Sequence, residues 1–195
     1  IQETIDHQAD IAADGSVVDT VTITRLHTGA SDDPFAHVKN IDYLRLYVPA
    51  GSELISAEGF SQPEAGLFLP VEAGYEQDAD LTATSGEVMI DGRTQTRLSQ
   101  EFGKTVFGNW IQTEAGTSST VVVRYRLPFR VQRTTWTPGA YSLLIQKQPG
   151  AFDPVVFTRV NYPESWNIVW QYPTTSALAL QQTLLRDTFT AAVFE

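Results

Sequence analysis

Between Gly103 and Pro128 the chain reads GKTVFGNWIQTEAGTSSTVVVRYRLP. From Ser119 to Leu127, Val121, Val123, Tyr125 and Leu127 point one way, and Val122, Arg124 and Arg126 point the other. This period of two belongs to a strand with one face buried and one face wet. Val106, Trp110 and Ile111 sit in a preceding run dense in β-branched and aromatic residues, and Glu114-Ala115-Gly116-Thr117 separates the two runs. The pattern predicts a strand, a tight turn and a strand: the closing hairpin of a β-sandwich. It constrains architecture and says nothing about chemistry.

The rest of the chain repeats the theme. Gln2 to Ala12 and Val17 to His27 flank Asp14-Gly15, a strong hairpin signal. Further strands are predicted over Asn40 to Val48, Glu53 to Ala57, Val88 to Ile90, Thr94 to Phe102, Tyr141 to Lys147, Val155 to Asn161, Trp166 to Gln171, Leu178 to Leu185 and Thr188 to Phe194. Asp91-Gly92 reads as a second hairpin turn. Residues 59 to 80 hold Gly and Pro breakers around Leu67-Phe68-Leu69 and read as a long acidic excursion with one edge strand. No window longer than about ten residues carries a helical period, and only Ser176 to Leu185 is ambiguous. The fold class is therefore all-β, an immunoglobulin-like β-sandwich in two consecutive units. The first unit covers 1–131, the second and smaller covers 140–195, and 132–139, with Pro138-Gly139, is the linker. Val48 to Ile55 resembles Tyr162 to Val169, a weak internal repeat consistent with two such units.

Thirteen basic and 23 acidic side chains give a net charge of −10. The acidity is concentrated early: residues 1–98 hold 17 acids and five bases, whereas residues 99–195 hold six acids and eight bases. Such a surface is repelled by nucleic-acid phosphates and anionic membranes. The absence of cysteine removes disulfides, thiol nucleophiles and thiolate metal sites. No run approaches the ~18 apolar residues of a membrane helix. The chain opens mid-pattern at Ile1-Gln2-Glu3 without Met, as expected of a piece of a longer protein whose leader or anchor lies elsewhere.

Residues that carry chemistry are scattered. His7, His27 and His37 lack the short local spacing of a metal site and are expected to be ordinary surface or edge histidines. Asp32-Asp33 and Asp78-Ala79-Asp80 are acidic loop clusters. Neither matches a calcium loop, so Asp32, Asp33, Asp78 and Asp80 are expected to cap turns, with the loops Thr28 to Lys39 and Gly59 to Asp80 as possible binding loops. No Gly-x-Ser-x-Gly elbow or phosphate loop is present. The residues support no catalytic group, no cofactor and no metal. Trp166 and Trp170, four apart, share a face if their strand is regular; with Trp110, Trp136, Tyr162 and Tyr172 they either stack on a sugar or fill the core. Arg124, Arg126, Arg130 and Arg133 form a basic stripe expected to pair with the acidic first half.

Several phrases resemble the C-terminal region of the DUF4012 family of bacterial envelope proteins of unknown function: Asp42 to Pro49 with Gly51-Ser52, Gly103 to Gly108, Val122 to Pro128 and, most specifically, Tyr141 to Gly150 (YSLLIQKQPG). With the closing pattern from Tyr162 to Phe194, the likeness spans roughly residues 40 to 195. It implies an extracellular, envelope-associated protein held to the membrane by an anchor absent from this chain. It brings no activity or catalytic residue. The expected function is a non-catalytic surface module, a spacer, adhesion or protein-interaction domain, whose partner is a protein or a cell-wall polymer. The alternative is a carbohydrate-binding or hydrolytic accessory domain acting on cell-surface polysaccharide.

Overall fold

The computed structural model describes residues 1–30, 32–76, 78–134, 136–174 and 178–195. Ser31, Gln77 and Thr135, within the predicted loops and linker, and Ser176 and Ala177, at the head of the ambiguous window, lie outside them. The fold is all-β, with 52% of the described residues in strands and 5% in helices. In chain order the strands are β1 (Gln2–Ile11), β2 (Ser16–Leu26), β3 (Asn40–Pro49), β4 (Glu53–Glu58), β5 (Met89–Ile90), β6 (Arg97–Glu101), β7 (Lys104–Thr113), β8 (Ser118–Arg130), β9 (Gly139–Ile145), β10 (Val155–Asn161), β11 (Ile168–Tyr172), β12 (Ala179–Thr183) and β13 (Thr188–Phe194).

They form three sheets: a six-stranded one ordered β12-β10-β1-β2-β8-β4, a four-stranded one ordered β3-β7-β6-β5 and a three-stranded one ordered β11-β13-β9. The first hairpin forms as its sequence predicts, β1 pairing antiparallel with β2 from Gln2↔Leu26 to Ile11↔Val17. Gly15 makes the turn at φ +79°, where a side chain would strike the backbone of Val131. Asp14 secures the corner by accepting from the amide and hydroxyl of Ser16.

The central sequence feature folds differently from expectation. Both strands form, but β7 and β8 are not partners. β7 pairs with β3 and β6, and β8 pairs with β2 and β4. The turn at 114–117 thus carries the chain between sheets. The cause is the side-chain pattern itself: Phe107 and Ile111 on β7 and Val121, Val123, Tyr125 and Leu127 on β8 are all buried. Facing each other across two layers covers both sets, and the Phe107 and Tyr125 rings meet with centroids 5.7 Å apart. The similar segments 48–55 and 162–169 also change sheet, β3 to β4 and β10 to β11.

The segment 132–139 runs from the end of β8 into β9, whose first residue is Gly139. Strands from both sides of it share the six-stranded sheet, because β10 runs parallel to β1 in register from Thr4↔Val155 to Asp10↔Asn161. One apolar cluster joins Ala9, Val21, Val123 and Phe107 to Tyr141, Val160, Trp166 and Phe194. Residues at its start are held to both sides. Val131 is buried and donates its amide to Gly15, and the Arg133 guanidinium lies 5.4 Å from the Trp166 ring centroid.

Two local expectations are corrected. Leu67-Phe68-Leu69 is not an edge strand; a 3-10 turn spans Ala65–Leu67. The excursion ends in a short helix, α1 (Ala79–Ser85), started by Asp78, whose carboxylate accepts from the amides of Asp80 and Leu81. Seven residues held by a cap, none of them buried, carry no apolar period, so a periodicity search passes over them.

Candidate functional site

The accessible side of the four-stranded sheet gathers the most polar chemistry. On β3 the alternate residues Tyr43, Arg45 and Tyr47 lie opposite Trp110, Gly108 and Val106 of β7. On β6, Arg97 and Ser99 lie opposite Gly108 and Val106 from the other side. Arg45 and Arg97 therefore flank Gly108 in one row. Glycine is required there by close approach: a Cβ would sit 2.6 Å from the Tyr43 hydroxyl and 3.0 Å from its ring. The Tyr43 ring fills that slot, meets Trp110 edge-on at 5.0 Å and carries the Arg45 guanidinium at 5.8 Å.

Glu101 closes the row. Its side chain is buried, with Oε1 accepting from Ser99 Oγ at 2.8 Å and Oε2 from Tyr47 Oη at 2.8 Å. Arg45 Nη1 approaches at 3.5 Å. Burial pushes the Glu101 carboxyl up, but the Ser99 and Tyr47 hydrogen bonds and the Arg45 and Arg97 charges outweigh it and hold it below its usual range. Glu101 is thus ionised and engaged, with no proton to donate at neutral pH. Burial raises the Tyr43 phenol, only partly offset by Arg97 and Arg45. Two guanidiniums, Arg45 and Arg97, against the one carboxylate of Glu101 leave this patch net positive on an acidic protein.

The excursion stands on the same sheet. Ser61 donates its amide to the Trp110 carbonyl, Gln62 reaches Asn109 at 2.7 Å, and Gln112 donates to the Gln62 carbonyl. Phe68 covers Trp110 at 5.4 Å, and α1 lies against β6. Beyond these footholds the apolar side chains face water: Leu69 is 94% and Val71 84% exposed, and Tyr75, Leu81 and Met89 are largely exposed too.

The four predicted loop carboxylates stay with their own turns. Asp33 accepts from the amides of Phe35 and Ala36, with Asp32 exposed beside it. Asp78 caps α1, and Asp80 is exposed in its first turn. Half of the arginine stripe pairs as expected, Arg126 with Glu53 at 3.6 Å and Arg130 with Asp14; among the described residues Arg124 makes no ion pair, and Arg133 lies over the Trp166 ring instead. The tryptophans do not converge. Trp166 is buried against Phe194, whereas a bulge between Ile168 and Trp170 turns Trp170 outward. The expectation that these two share a face fails because Trp166 lies in the turn before β11, which starts only at Ile168 and is itself bulged.

The expectation of surface histidines holds for His27 and His37, which bond the carbonyls of Val38 and Asp33, and fails for His7. His7 lies on the inward face of β1 with Ala9 and Ile11, so it is buried. Its Nε2 lies 3.3 Å from Asp19 Oδ2. Thr158 stands opposite it on β10, and Tyr125 stands opposite Asp19 on β8. Burial, reinforced by the Asp19 charge, pushes the Tyr125 and Tyr141 phenols well above 10. Hydroxyl, imidazole and carboxylate here have the residue types of a proton relay, but each residue is at most 5% exposed. A substrate would have to enter the protein core. In β2 Asp19 shares the inward face with Val17 and Val21, and in β1 His7 shares it with Ala9 and Ile11.

Among the described residues, no three His, Asp or Glu side chains converge as metal ligands, and no helix is long and apolar enough to cross a membrane. No protein-family model matches the chain, and no curated protein is similar to it.

Proposed function

We propose that this chain is a non-catalytic, surface-exposed β-sandwich module of a bacterial envelope protein, acting in protein interaction or adhesion. The observation that carries the reading is the excursion between β4 and β6, which is anchored on β7 by polar bonds yet turns a run of large apolar side chains to solvent. Contiguous exposed apolar surface marks interaction sites. An immunoglobulin-like arrangement of paired layers suits such a role, since sandwiches present loops from a rigid scaffold. The likeness of Tyr141 to Gly150 to the DUF4012 family supports an extracellular setting, with the membrane reached through an anchor outside this chain. The net charge of −10 disfavours nucleic acid; the partner is a protein or a cell-wall polymer.

Deleting residues 61–79 and rejoining the ends tests this reading. The expected result is retained β circular dichroism with loss of binding to envelope preparations. Unchanged binding removes the excursion from the function.

A second reading is carbohydrate binding. Trp170 and Tyr172 are about half exposed on β11, and Tyr172 lies 6.2 Å from Phe189, a spacing suited to stacking. Polysaccharide binding abolished by Trp170→Ala with the excursion intact would favour it.

A further inference from the structure

We propose that the free edge of β3 takes up an extended acidic peptide segment of a partner protein as an added strand, with a carboxylate of that segment on Arg45. The proposal rests on the reading of the chain as a protein-interaction module and names the partner chemistry.

Sheet edges present unpaired amides and carbonyls and are normally guarded by shortness, bulges or covering elements. Most edges here follow that rule. β5 has two residues and β12 five. β11 has five with a bulge, and β4 has six with a register shift between Leu54 and Ser56. β9 has seven. β3 is the exception: ten residues, paired on one side only, in unbroken register with β7 from Asn40↔Thr113 to Pro49↔Lys104. Proline appears only at its last position.

The strand is also held in place to receive a neighbour. Arg25 of β2 bonds Asp42 and lies 3.3 Å from Glu3, pinning the inward side of β3 to the six-stranded sheet. The outward row Ile41, Tyr43, Arg45, Tyr47 contains one cation and no anion. Arg45 is half exposed, and its only carboxylate neighbour among the described residues is Glu101 at 3.5 Å. A strand laid along this edge gains backbone hydrogen bonds from any sequence and specificity from alternate side chains: an acidic one beside Arg45, apolar ones beside Tyr43 and Tyr47. A second copy of this chain fits poorly, since it brings another arginine and no outward acid to the same row.

The probe is a fluorescent eight-residue peptide of alternating threonine and valine with one central glutamate, titrated against the whole chain by anisotropy. Saturable binding is expected, with the central-lysine peptide weaker by about tenfold or more. Arg45→Glu should reverse that preference, its fold verified by an amide NMR spectrum. N-methylating alternate peptide amides should abolish binding to the unaltered protein, which tests the edge without any mutation. The proposal is overturned by equal binding of the two peptides, by undiminished binding of the N-methylated one, or by no saturation up to about 1 mM. A dimer in light scattering that the peptide disperses would assign the edge to a second copy and also overturn it. Peptide uptake that survives removal of 61–79 separates this edge from the excursion, so the two readings fail independently.

Discussion

At the residue scale, burial decides what each ionisable group is for. Glu101 is buried but solvated by protein donors, so it stays charged. Tyr125 and Tyr141 are buried beside the Asp19 charge, so they stay protonated. Their folded pKa lies above the unfolded value of about 10. Above pH 10 the unfolded chain releases these protons while the folded chain keeps them. Stability from this source is therefore complete below pH about 10 and falls as pH rises further. Denaturant titrations between pH 8 and 11 should show that decline, and Tyr141→Phe should flatten it. An unchanged slope in the variant would mean that Tyr141 is ionising freely. His7 shows the limit of residue-level reading: its type and spacing suggest an exposed ring, and only its neighbours bury it.

The elements were legible where the side-chain period was clean. In β8 the alternation named Val121, Val123, Tyr125 and Leu127 as inward, and they are 0–6% exposed, while Arg124 and Arg126 face water. Tyr125→Ala should cost about 3 kcal/mol through lost core packing. Arg126→Ala loses only an exposed pair with Glu53, worth about 0–1 kcal/mol. Equal shifts in a chemical-denaturation midpoint would mean that the strand register is wrong. Elements set by capping or irregularity were not legible: α1 depends on Asp78 alone for its start, and the late, bulged start of β11 that separates Trp166 from Trp170 has no composition signal.

At the scale of the molecule, the parallel ladder between β1 and β10 governs the behaviour of any fragment. A chain ending at Arg133 keeps β1 to β8 but strips β1 of its outer partner and the core of Tyr141, Val160, Trp166 and Phe194. It should lose the dispersed amide NMR spectrum of a folded protein. A well-dispersed spectrum would show that 1–131 folds as a unit of its own.

What the amino-acid order settles without help is local: the strand class, the turns at Asp14-Gly15 and Asp91-Gly92, and the faces of β8, because period, β-branching and turn chemistry act within a few residues. What it leaves open is pairing. Two runs joined by a short turn form a hairpin or cross between sheets with the same local pattern, and the choice between them depends on which apolar faces can cover one another. That choice sent β7 and β8 to different sheets, set β10 beside β1 and left β3 with a free edge. The free energy of burial belongs to the assembled layers rather than to any one strand.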